Sequence, residues 1–167
     1  MDGIVNQLNS YKFVLLVPRL QVGARIYAIM NLLPDNIYHI YNRGNNEQKI
    51  FFNDDNYLFF LNKIRKHLTP HTEFICYCLM PNHFHFLIYT PMNFENSKFS
   101  NEFRILLSSY TRAINKQENR TGSLFQQNSK AKCLTYDSKR SPDYGLICFN
   151  YIYQNPLLAG LVEKMEG

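Results

Sequence analysis

The chain has 167 residues and carries 18 Lys+Arg against 13 Asp+Glu, a net charge of +5. Its length suits one domain with a real core, and 46% apolar with 19% charged residues excludes a disordered chain. The longest apolar run, Phe74 to Met80, has only seven residues, whereas a membrane helix needs about 20, so a spanning protein is excluded.

Residues 1–33 show no sustained period and read as an N-terminal extension ahead of a domain over 34–167, with a second methionine, Met30, near the junction. They contain no signal peptide: Pro18, Arg19 and Arg25 follow the one short apolar piece, Phe13 to Val17. Cys76, Cys78, Cys133 and Cys148 therefore read as reduced core thiols of a cytoplasmic protein.

Asn36 to Arg43 reads as a strand rich in β-formers, ending in the loop signal Asn42-Arg43-Gly44-Asn45-Asn46. Asn53-Asp54-Asp55 opens a helix with a capping side chain and two carboxylates at the positive end of the dipole. Tyr57, Phe60, Leu61, Ile64 and Leu68 share one face of it, and Pro70 stops it. Glu73 to Met80 and His83 to Tyr89 are strands joined at Pro81-Asn82 into a hairpin. Phe99 to about Gln117 has Phe99, Phe103, Leu106, Leu107, Tyr110 and Ile114 at helical core spacing. Leu124 to Tyr136 reads as extended. Ser141-Pro142-Asp143 starts a last helix, which ends near Asn155 because Pro156 biases its predecessor out of the α region. The order β, α, β, β, α, β, α predicts an α+β fold with one antiparallel sheet and helices packed on a face.

Three features carry chemistry. His83 and His85 are two apart in a strand, so both imidazoles leave the same face about 7 Å apart at Cα. That is a ligand arrangement for a divalent cation, or simply the solvated face of an amphipathic strand. A zinc site that adds Cys76 and Cys78 is a weaker alternative, because both thiols sit in an apolar run. His39, His67 and His71 lack such pairing and read as structural or surface residues. Tyr151 and Asn155, four apart on the last helix, put a phenol beside a carboxamide. Residues 98–140 hold nine Lys+Arg against three acids, interleaved with Phe125 and Tyr136. This mixture suits single-stranded nucleic acid or a solvated helix face.

Four segments, in order, resemble the single-tyrosine HUH transposases, in particular the IS200-like, REP-associated tyrosine transposases. They are Tyr38 to Asn46, Leu79 to Leu87 with its His-hydrophobic-His signature, Arg120 to Gln126, and Tyr151 to Pro156 followed by Ala159 to Val162. The resemblance implies a ferredoxin-like fold. It implies Tyr151 as nucleophile and Mg²⁺ or Mn²⁺ held by His83, His85 and Asn155. It also implies single-stranded, hairpin-containing DNA as substrate, cleaved and rejoined through a 5′-phosphotyrosine. The basic segment from Arg112 to Lys132, with Arg120 and Lys130, is the candidate DNA surface, and Arg43 a further contact. Relatives run on beyond the point, eleven residues past Pro156, where this chain stops. A DNA-binding module of the same fold without catalysis is the alternative function, and the pattern leaves homodimerisation open.

Overall fold

A computed structural model describes residues 30–135, 149–150, 152 and 154. Strand β1 covers Asn36–Arg43, helix α1 Asp54–His67, strand β2 Glu73–Met80, strand β3 His83–Thr90, helix α2 Asn96–Gln117 and strand β4 Lys130–Cys133. The four strands form one antiparallel sheet in the order β2-β3-β1-β4. A βαββαβ chain with that strand order is a ferredoxin-like α+β fold.

The helices follow from local chemistry. The Asn53 side chain accepts a hydrogen bond from the Asn56 backbone N–H, Asp54 and Asp55 occupy the first turn, and Arg65, Lys66 and His67 the last. Both ends therefore complement the helix dipole. Helix α2 begins three residues before the predicted Phe99, because its first turn, Asn-Ser-Lys, carries no apolar period. Asn96 is held instead by its side-chain oxygen, which accepts from the Leu32 N–H at 3.1 Å.

Alternation along the strands produces two different faces. One carries Tyr38, Ile40, Leu79, Phe84, Phe86 and Ile88 into the main core, with Phe60 and Ile64 of α1 and the predicted apolar stripe of α2. Phe60 sits at its centre, edge-on to Tyr110 at 4.7 Å between centroids. Leu32, on the extension side of the residue-34 boundary, is buried in the same core.

The opposite face holds a smaller apolar cluster of Cys78, Met80, Leu87 and Ile152, with Ile37, Cys76, Leu134 and Phe149 against it. Phe149, Asn150, Ile152 and Gln154 are helical. The predicted helix start at Ser141 lies outside the described residues. Cys76, Cys78 and Cys133 are thiols; Cys148 lies outside the described residues.

Within the predicted extended run from Leu124 to Tyr136, Lys130–Cys133 form the strand, and Tyr136 lies outside the described residues. The Phe125 backbone pairs through an isolated bridge to Gly44. Between them the Asn42 side chain takes the place of a ladder, donating to Gln126 O at 3.2 Å and Ser129 Oγ at 2.8 Å. No helix among the described residues is long and apolar enough to cross a membrane.

Candidate functional site

The site grows from the β2–β3 turn. Pro81 O accepts from Ile50 N at 2.6 Å and from Phe51 N at 3.1 Å, and Asn82 O accepts from Gly44 N at 2.7 Å. The hairpin turn is thus clamped to the loop that follows β1, so the first histidine leaves a fixed point. His83 Nδ1 lies 2.6 Å from Asn82 Oδ1. An amide oxygen only accepts, so His83 donates its Nδ1 proton and keeps its lone pair on Nε2. The Asn82 amide is oriented from its other end, where Nδ2 donates to Glu47 O at 3.4 Å.

His85, two residues on, is only 5% exposed, and its ring centroid is 5.1 Å from that of His83. The pair shares one face, as alternation requires. A third ring joins the pair, one that spacing along the chain does not reveal: His39 is 6% exposed, and its Nε2 lies 2.8 Å from His85 Nδ1. Registry explains the meeting: His85 stands opposite Tyr41 and His39 opposite Leu87, so the two histidines are diagonal neighbours across β1 and β3. The clue was present, since His39 lies in the first motif, but cross-strand register is not local information. His67 instead pairs with Glu102 between the helices, at 2.7 Å.

Electrostatics favour the neutral form of His39 and His85. Burial, and then the charge of Lys132, lowers His39 to about 4. Burial, then His39 and His83, lowers His85 well below the ordinary imidazole value. Neutral imidazole is the form that binds a metal, and His83, whose Nδ1 proton goes to Asn82 Oδ1, keeps its Nε2 lone pair, so the donor chemistry of His83 and His85 fits a divalent cation. Among the described residues no group of three or more His, Cys, Asp or Glu is placed to hold a metal. Asn155 and Tyr151 lie outside the described residues. The zinc alternative gains no support. The bulge between Phe74 and Cys76 sets Cys76 opposite Leu87, and burial pushes the Cys78 thiol up, away from the thiolate that zinc requires.

The basic residues divide between the layers. Lys132 stands opposite His39 and Lys130 opposite Tyr41, so both project from the histidine face. Arg43 stands opposite His83 at the sheet's end and is ion-paired with Glu47 at 3.2 Å. Arg120 holds a loop, donating to Gln48 Oε1 at 2.8 Å. Arg112 is exposed on α2, in the layer that covers the other face. The apolar cluster beside the histidines includes Phe149 and Ile152, which bracket position 151 in the chain.

Comparison with known proteins gives a consistent result. The family model for IS200-like transposases matches residues 33–140, well over half of the chain. Among solved structures, a REP-associated tyrosine transposase bound to a REP hairpin is similar at a TM-score of 0.61 and 17% identity, covering 87% of this chain and 78% of that one. A protein from Deinococcus radiodurans R1 described as a candidate transposase is similar at a TM-score of 0.47 and 15% identity, covering 81% of this chain and 97% of that one. No curated protein matches. The extent of the family match, on a ferredoxin-like fold with a paired-histidine strand, establishes that the chain belongs to the IS200-like transposase family.

Proposed function

We propose that this transposase cleaves and rejoins single-stranded DNA with Tyr151 as nucleophile, at a site where His83, His85 and Asn155 hold Mg²⁺ or Mn²⁺. One observation carries the reading. Two imidazoles, His83 and His85, share a sheet face on which Phe149 and Ile152, within two residues of position 151, are packed. A bound divalent cation supplies Lewis-acid polarisation of the scissile phosphate.

The residues of the chain do the rest. The Tyr151 oxygen attacks phosphorus, and the bond from phosphorus to the 3′ oxygen breaks. The phenol proton leaves to solvent, and the departing 3′ oxygen takes one up. The products are a 5′-phosphotyrosine and a free 3′-hydroxyl. Because a phenol with a pKa of about 10 leaves more readily than an alcohol, a 3′-hydroxyl can reverse the step without an external energy source. Lys130 and Lys132, on the histidine face, neutralise the DNA backbone, with Arg43 at its edge. A hairpin-containing single strand is the proposed substrate. The likeness to a transposase bound to a REP hairpin supports that choice, and an unpaired strand leaves its phosphate free to bend into the site.

A denaturing gel of the full chain with labelled hairpin DNA and Mn²⁺ or Mg²⁺ tests this. A covalent adduct that disappears in Tyr151→Phe is expected. An undiminished adduct in that variant moves the nucleophile elsewhere, and DNA binding with no adduct under either metal identifies a binding module instead.

A further inference from the structure

We propose that His39 is a positioning residue: its Nε2 accepts the Nδ1 proton of His85 and so holds that ring in the tautomer whose Nε2 lone pair faces a divalent cation. The inference rests on the metal reading above and extends it to a residue outside the ligand set.

Two buried imidazoles whose ring nitrogens approach to 2.8 Å have one proton between them. If His39 donates, His85 accepts on Nδ1 and its own proton must sit on Nε2, where it blocks coordination. If His85 donates, its Nε2 is the basic nitrogen. The second arrangement matches the one at the neighbouring ring, where Asn82 Oδ1 takes the Nδ1 proton of His83. Both rings would then present Nε2, one steered by an amide oxygen and the other by an imidazole.

The nearby apolar cluster on that face is built from Leu87, Cys78, Met80 and Ile152, and an aliphatic residue would bury there without needing a partner. A polar ring taken out of water needs its hydrogen bond, and the atom that supplies it belongs to His85. The two rings also lie nearly parallel, at 27° with centroids 5.0 Å apart, which restrains rotation of the His85 ring.

The experiment uses the full chain and the variants His39→Gln and His39→Leu. Long-range ¹H–¹⁵N correlation spectra of the metal-free protein, with ¹⁵N-labelled histidine, read the tautomers directly. His85 is expected as the Nδ1–H form in the unsubstituted chain. Mn²⁺ titration by electron paramagnetic resonance is the second readout. His39→Leu should weaken Mn²⁺ binding about 10- to 100-fold, the range for a lost outer-shell partner. His39→Gln, whose amide oxygen accepts the same proton, should restore most of it. An Nε2–H tautomer at His85, or equal affinity in all three proteins, overturns the role of His39 while leaving the metal reading in place. Equal weakening in both variants also overturns it, since the effect would then not follow the acceptor. Failure of the unsubstituted chain to bind Mn²⁺ overturns the metal reading and the positioning role with it.

Discussion

Individual side chains on the histidine face separate two jobs that the sequence runs together. In the proposed site His83 is a metal ligand, whereas Lys130 and Lys132 reach the same face from β4 and carry charge. His83→Ala should therefore abolish metal-dependent adduct formation and change affinity for labelled hairpin DNA by no more than about threefold, since backbone neutralisation supplies most of that affinity. Fluorescence anisotropy checks the second half, and a collapse of affinity in a folded variant would show that the ion itself anchors the DNA. The converse variant is Lys130→Ala with Lys132→Ala. It should lower the slope of log affinity against log salt by about 1.4, at about 0.7 per phosphate contact on a single strand. An unchanged slope would take β4 off the DNA surface.

Turns and helices set where those side chains point. Gly44 has ordinary extended backbone, so its need is for space: a Cβ there would run into the backbone carbonyl of Gln48. The same glycine donates to Asn82 O, and Asn82 orients His83. Gly44→Ala should cost about 1–3 kcal/mol and weaken Mn²⁺ binding at the same time, measured by urea denaturation and metal titration. Stability loss without any change at the metal would show that the clamp and the ligand are independent. Deeper in the molecule, Tyr110 is fully buried on α2 and donates to Ile50 O at 2.7 Å. Tyr110→Phe keeps the ring but leaves that carbonyl without its partner, at a cost of about 1–3 kcal/mol. A urea midpoint identical to that of the unsubstituted chain would mean that water replaces the phenol.

The whole molecule stores a pH dependence in its main core. Burial, then Asp54 and Cys78, pushes the Tyr57 phenol up to about 12, and burial, then Tyr57, pushes Tyr110 up as well. An unfolded phenol ionises near 10, so above that value the unfolded chain releases protons that the native chain retains. Stability is therefore fully present below about pH 10 and declines as pH rises through 10 towards 12. Phenolate absorbance and far-ultraviolet circular dichroism should reveal ionisation of these two tyrosines only as the fold is lost. Ionisation of Tyr110 in a chain with native circular dichroism would contradict this.

The order of the elements was determined by sequence alone, because the periods of 2 and 3.6, the Asn53 cap and the Pro81-Asn82 turn are local signals. So was the sharing of one face by His83 and His85, which follows from strand alternation wherever the strand lies. Only the tertiary structure decided that β1 runs between β3 and β4, and this placement brings His39 to His85, Lys132 opposite His39, and Asn42 to Gln126 and Ser129. It also decided that the described basic residues of the segment from 98 to 140 divide between two layers, with Arg112 on α2 and Lys130 and Lys132 on the sheet. The physical reason is common to all of these. Pairing register and layer order are set by contacts between residues far apart in the chain, and no periodicity within a single segment encodes which distant strand will lie beside it.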